Sequence, residues 1–473
     1  MNMRAPFVKH LFHGLRWYET SEYALLMLFV ISISIQWHIA LWCLVLLCAN
    51  TLVKIIATHH IGNPALSRPV RTCLGLMMLF YLVFVISGTY SSQPAEALST
   101  ASTMLPLLLF PLLFLLGDTR YLHPRRLSAL AYLFAATLTL RFAIMLIRSA
   151  FHTVDSQLFT CTTNTFATLL VQVASLLSQQ TPFPQLDYPI LLLPIRAVAH
   201  LFNGTPLEHI KAFQFDPLHH NYLSLYVLTA IALLYASLVQ HWQSPQWRRV
   251  RWIVLGDIVL LSVYILLSHS RSGIVAWAFL AGACLTYLAF SKKQWRTLGI
   301  IIAAAILIIG ISYWASPKTY KHITDTAKNI LNGEKGDVRQ TLWQSGLATI
   351  KDRPLFGYGC DGYWDALFEQ YRTHDCLNAT IQQFSTHNQY LETTLSSGLV
   401  GLAVMLAMIA VPVVLALRRP HRNLPMFMFT VVYTVCIFFE ATFGRQMGLL
   451  FISFWYCLLL HYSCPQLSTS TPT

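Results

Sequence analysis

Charge is scarce in this chain. Of its 473 residues only 11% are Asp, Glu, Lys or Arg, while 55% are hydrophobic. A soluble domain carries about 25% charged residues, so a soluble globular fold is excluded. Acidic residues are the rarer sign, 19 against 32 basic ones, which leaves a formal net charge of +13. No glycine-rich phosphate loop, no Cys/His spacing of a zinc site and no internal repeat occurs. Nucleic-acid binding needs a soluble basic face, and none is present. The pairs His59-His60 and His219-His220 are adjacent in sequence. Neighbours on a helix point about 100° apart, so these pairs read as loop polarity and not as ligand sets.

What the chain does have is apolar runs of bilayer-spanning length. Twelve candidate spans start near residues 22, 38, 71, 99, 127, 220, 251, 271, 295, 389, 425 and 447. The expected fold class is therefore all-α: a polytopic integral membrane protein of about twelve transmembrane helices. The first run is short and is expected to pair with the second as a hairpin. No small-residue cleavage site ends it, so it reads as a retained span and not as a signal peptide.

The basic residues orient the bundle. With the N-terminus inside, the arm and the connections near 54–71, 117–126, 241–251, 291–296 and 418–422 each carry three Lys or Arg residues. The short connections on the other side carry almost none, which is the positive-inside pattern. Two long segments then fall outside, near 149–219 and 315–386. The first holds Pro-broken apolar stretches that read as interfacial or re-entrant helices. The second carries eight acidic and eight basic side chains, as a folded polar segment would. The expected organisation is helices 1–5 over 1–148, an outer segment 149–219, helices 6–9 over 220–314, an outer loop 315–386 between spans 9 and 10, and helices 10–12 with a short tail over 387–473. Most cysteines lie in spans as packing residues. Cys360 and Cys376 share the outer loop, and a disulfide between them is expected if that compartment is oxidising.

The polar positions that break this pattern carry the chemistry. In "THNQYLETTLSSGLVG", Thr386 and Gln389 have the form of a capping box, which predicts His387 in the first helical turn. The helix dipole there disfavours a protonated ring, and a neutral imidazole can act as general base. An interfacial histidine that only caps a helix is the simpler reading of the residues alone. Arg271, in "SHSRSG", stands on the outer side, where topology supplies no reason for a cation. An arginine at membrane depth usually serves a site, and its fork matches phosphate oxygens. Arg141 lies inside the fifth run. Arg148, Arg196 and Arg445 read equally well as side chains snorkelling to headgroups. Asp257, Glu392 and Glu440 are acids within spans, too few for a proton-relay chain.

These motifs resemble the O-antigen ligase and polymerase superfamily. His387, Asn388, nine residues, Gly398, two residues and Gly401 match its His-[Asn/Ser/Gln]-x9-Gly-x-x-Gly pattern. "LSHSRSGIVAW" resembles its segment at Arg271. "GDVRQTLWQSGLATIKDRPLFGYGCDGYW" resembles the start of its large outer loop, with Asp337 and Arg339 at recognisable positions. "FDPLHHNYLSLYV" resembles the entry to a middle span, with Asn221 matching. The resemblance implies a helical periplasmic loop over the bundle, in a Gram-negative inner membrane. It implies transfer of a glycan from undecaprenyl pyrophosphate to a sugar hydroxyl of lipid A-core, with no cofactor and no metal. His387 would act on the acceptor hydroxyl. Arg271, Arg339, Arg141 and Arg196 would hold the pyrophosphate, and the displacement would invert the anomeric carbon. A protein O-oligosaccharyltransferase and an O-antigen polymerase share much of this pattern. A lipid-linked glycan transporter is the alternative of another class.

Overall fold

The computed structural model describes residues 12, 14–64, 66–154, 220–267, 270–287, 299, 303, 306, 338–374, 376–418 and 420–463. Among these residues every regular element is a helix. Seven helices are long and apolar enough to cross a membrane, and three shorter apolar helices accompany them. The protein is an all-helical, multi-pass membrane protein.

The N-terminal hairpin is α1 (Trp17–Ile35) and α2 (Trp37–Thr58). Gln36 joins them in extended conformation, and its N–H closes the last turn of α1 on Ser32 O at 2.7 Å. Next come α3 (Arg68–Gly88), α4 (Pro94–Thr103), α5 (Pro106–Leu116) and α6 (Pro124–Val154). Prolines sit at the starts of these helices, where a missing N–H costs nothing. The fourth span is therefore two short helices, because Pro106 restarts the chain after Met104 and Leu105. The positive charge of Lys54 is not a loop charge. It is buried, 2.7 Å from Glu22, and it donates to Asp118 O at 2.5 Å. That pair fastens α1 and α2 to the 117–123 turn.

The second half contains α7 (His220–His241), α8 (Val250–Leu267) and α9 (Arg271–Tyr287). The span in α7 is 89% buried, against 33–50% for the other long spans, so α7 is the central post of the described bundle. It packs on α6, α8, α9 and the later helix α14 (Pro420–Phe439). The segment after α9 contributes α10 (Val338–Asp352), α11 (Trp364–Thr373) and the short α12 (Leu377–Ile381). The chain then enters α13 (Gln389–Arg418), and α14 is followed by α15 (Gln446–Ser463), the last described helix. Leu342, Tyr363, Leu367, Tyr371, Ala379 and Leu395 form a small separate core that fixes the loop to α13.

Each expected span start falls on one of these helices except the ninth, near 295, which lies outside the described residues. So does most of the outer segment 149–219. The disulfide expectation is corrected: Cys360 and Cys376 are both free. Cys360 is buried with the main core, while Cys376 packs against the loop's own small core. Burial raises the Cys360 thiol well above its ordinary value, with neighbouring Asp361 adding to the effect. A shared compartment did not bring the two sulfurs together.

Candidate active site

The site is built around a break in α13. Gly398 adopts φ 65°, ψ −164° in the middle of the helix, a conformation essentially reserved for glycine. The break frees backbone groups that lipid cannot satisfy. The loop segment Pro354–Gly359 satisfies them. Tyr358 N and Gly359 N donate to Leu395 O and Ser396 O at 2.8 and 2.9 Å. Leu399 N and Val400 N donate back to Pro354 O and Leu355 O at 2.8 and 3.3 Å. A Cβ on Gly398 would meet Leu355 O at 2.1 Å, and one on Gly357 would meet Leu395 O at 2.5 Å. Gly401 packs so closely that a Cβ would lie 1.8 Å from Ser397 Oγ. Gly398 and Gly357 thus have a physical reason, since they let the loop enter the helix, while Gly401 packs against Ser397 and Thr393 of its own helix.

The same loop is tied to the turn after α3. Tyr90 and Ser91 hydroxyls donate to Phe356 O and Cys360 O, each at 2.6 Å. Gly359, at φ +90°, has Ser91 Cα at 2.7 Å from an added Cβ. Tyr363 reaches Glu392 on α13 by a hydrogen bond. Burial first, then the Glu392 charge, push the Tyr363 phenol well above its ordinary value, so it stays a donor.

His387 stands at the mouth of α13, but not in its first turn. Its φ is 49°, in the left-handed region. Asn388 is the cap, because its Oδ1 accepts from Tyr390 N at 2.9 Å and Leu391 N at 3.2 Å. The predicted Thr386–Gln389 box does not form. Instead Thr386 donates from N and from Oγ1 to Glu392 Oε1, both at 2.7 Å. Gln389 is used elsewhere, accepting from Phe443 N at 2.7 Å. Trp343 of α10 donates to Thr386 O at 3.0 Å. The residue before His387 is therefore clamped from three sides, and that clamp holds the histidine in a backbone conformation a non-glycine residue rarely adopts.

The His387 side chain is 31% exposed, yet its Nδ1 is sealed from solvent and makes no hydrogen bond within normal limits. Glu440 Oε1, just past the C-terminal end of α14, lies 3.5 Å from that atom. Glu440 Oε2 accepts from Asn221 Nδ2 at the start of α7. Asn221 Oδ1 accepts in turn from Ser272 Oγ at 2.7 Å and Ser270 Oγ at 3.2 Å. These two serines flank Arg271, the first residue of α9. A continuous polar chain thus runs from the histidine to the backbone that carries Arg271. The sequence marked Glu440 as an acid within a span but gave it no place in the site. The signal was present, as a lone acid ending the apolar run "TVCIFFE" just before the Thr442–Gly444 turn.

The remaining candidates divide. Arg339 lies half-buried in the first turn of α10, one turn ahead of Trp343 and on the same face. That is the face applied to Thr386. Arg141 is buried elsewhere and donates to Ser34 O at the end of α1, which gives it a structural task in the N-terminal half. Arg445 is exposed after the Thr442–Gly444 turn. Arg196 and Asp337 lie outside the described residues.

The sequence that forms the break, the loop stitched to it and the helix mouth has a match among known families. The O-antigen ligase family model matches residues 258–406. That stretch is similar to the O-antigen ligase family. It takes in Arg271, the outer loop, His387, Gly398 and Gly401, and it stops short of Glu440. The chain is also similar to an uncharacterized protein of Haemophilus influenzae, 30% identical over 33% of this chain and 41% of the relative. It is similar to the exopolysaccharide production protein ExoQ of Rhizobium meliloti, 24% identical over 44% of this chain and 48% of that protein. These matches span less than half the length of either relative.

Proposed function

We propose that the protein is a glycosyltransferase that moves O-antigen polysaccharide from undecaprenyl pyrophosphate to a sugar hydroxyl of lipid A-core. The reaction takes place at the periplasmic face of a Gram-negative inner membrane. One observation carries the reading. His387 is fixed by its backbone at the helix mouth, with one ring nitrogen sealed toward a carboxylate and the rest of the ring partly open. Such a ring can take the acceptor's hydroxyl proton on Nε2. The acceptor oxygen then attacks the anomeric carbon, and the bond to pyrophosphate breaks with inversion. The leaving group keeps its electron pair. Arg271 and Arg339 neutralise it through paired hydrogen bonds to phosphate oxygens. Arg196 is proposed as a further cation for the donor, whereas Arg141, bonded to Ser34 O, keeps its structural task. No metal takes part, since fixed guanidinium groups supply the positive charge. Glu392 and Glu440 already accept protein hydrogen bonds, which fits roles other than holding a cation.

The similarity to an exopolysaccharide production protein favours a second reading, a polymerase whose acceptor is another lipid-linked glycan. A deletion strain separates the two. A ligase defect leaves lipid A-core bare while long lipid-linked polymer accumulates. A polymerase defect leaves single repeat units on the lipid and on the core. Unchanged lipopolysaccharide together with unchanged lipid-linked glycan rejects both.

A further inference from the structure

We infer that Glu440 is the positioning residue for His387, and that Asn221 holds it in register with the backbone of Arg271. The inference rests on the glycosyl-transfer reading above. It concerns two residues that lie outside the matched family region.

The argument starts from an unmet need. A buried ring nitrogen without a partner costs about 1–3 kcal/mol, and His387 Nδ1 is such an atom. Among the described residues, the acceptor facing it is Glu440 Oε1, at 3.5 Å. Hydrogen bonds in catalytic sites are often long before substrates bind and tighten afterwards. A carboxylate can only accept, so this pairing places the proton on Nδ1 and the lone pair on Nε2. That is the tautomer a base needs when its Nε2 side is the open one. When Nε2 takes the acceptor proton, the imidazolium forms beside a fixed negative charge. Glu440 exchanges no proton and forms no bond to substrate.

Asn221 supplies the second half of the inference. It is buried, and its amide has two unlike ends. The NH2 end donates to Glu440, while the carbonyl end accepts from Ser270 and Ser272. Ser270 Oγ also accepts from Gly273 N at 3.0 Å, which caps α9. A Cβ at Gly273 would lie 2.3 Å from Ser224 Oγ, so α9 and α7 are in near-backbone contact here. The carboxylate that aims the histidine and the helix start that bears the phosphate-binding arginine are thus held by one side chain.

Glu440→Gln is the test. The substitution is isosteric and still accepts from Asn221, but it can present an NH2 to Nδ1 and so favours the opposite tautomer. Purified protein should show a fall in kcat of about 100-fold. KM for both substrates should stay within about twofold, as for a contact used only in the transition state. In a His387→Ala background the same substitution should cost nothing further, because two groups acting as one unit are non-additive. A Gln variant within twofold of wild type, or a full additional loss in the double variant, overturns the inference. Neither result touches the base assignment, which fails only if His387→Ala itself is active. For the unmodified protein, 15N spectra of labelled histidine, assigned by difference with His387→Ala, should show the His387 proton on Nδ1. A proton on Nε2 overturns the inference, whatever the Gln variant does.

Discussion

At the scale of single residues, the site works by giving each polar group one task. Glu392 accepts from Thr386 twice and from Tyr363 once, and so holds the backbone ahead of His387. Arg271 is proposed to hold the donor pyrophosphate, and here the shape of the cation matters more than its charge. A lysine cannot give two parallel hydrogen bonds. Arg271→Lys should therefore weaken binding of the lipid-linked donor nearly as much as Arg271→Ala, while acceptor binding changes little. Donor titration of both variants checks this, and unchanged donor affinity in either one contradicts it. Arg141 makes the opposite prediction. Its bond to Ser34 O holds α1 against α6, so Arg141→Ala should lower the thermal midpoint of the detergent-purified protein. What the sequence revealed at this scale was uneven. His387 and Arg271 stood out because apolar spans tolerate few polar side chains. Glu440 did not, because its partners lie on α7 and on the loop before α13, far away in sequence. The Thr386–Gln389 cap failed for a related reason: Thr386 is claimed by Glu392, and Asn388 caps in its place.

At the scale of elements, the informative feature is a helix that unwinds without exposing its backbone. Spans were legible because apolar length is a local property. The break at Gly398 was visible only as a spaced glycine. Its partner, the Pro354–Gly359 segment, was visible only as a motif of its own. Nothing local says that the two motifs exchange four backbone hydrogen bonds. Gly398→Ala tests that joint. The new Cβ would clash with Leu355 O at 2.1 Å, and the backbone conformation alone disfavours alanine by about 1–3 kcal/mol. The variant should insert in the membrane but lose the fixed outer loop. Limited proteolysis should then cut between 338 and 386 far faster than in wild type. Wild-type protease resistance with normal transfer would show that the joint is not needed. Cys360 and Cys376 teach the same lesson in reverse. They share one loop, yet they pack in different cores, so the loop is held by packing and by its stitch to α13.

At the scale of the whole molecule, α7 links the parts. It is the most buried long span, and its first turn carries Asn221 where α9, α14 and the mouth of α13 converge. The assembly is proposed to neutralise pyrophosphate with arginines, so transfer by the purified protein should persist in excess EDTA. A detergent-dispersed acceptor controls for divalent bridging of lipopolysaccharide. Activity that vanishes with EDTA and returns with Mg²⁺ or Mn²⁺ would contradict this. The central claim is that His387 takes the acceptor's proton. The most direct measurement is single-turnover transfer from purified undecaprenyl-pyrophosphate-linked glycan to lipid A-core, comparing wild type with a well-folded His387→Ala protein. The account predicts a rate loss of at least about 100-fold with donor binding retained. A His387→Ala protein that transfers glycan at close to the wild-type rate would contradict it.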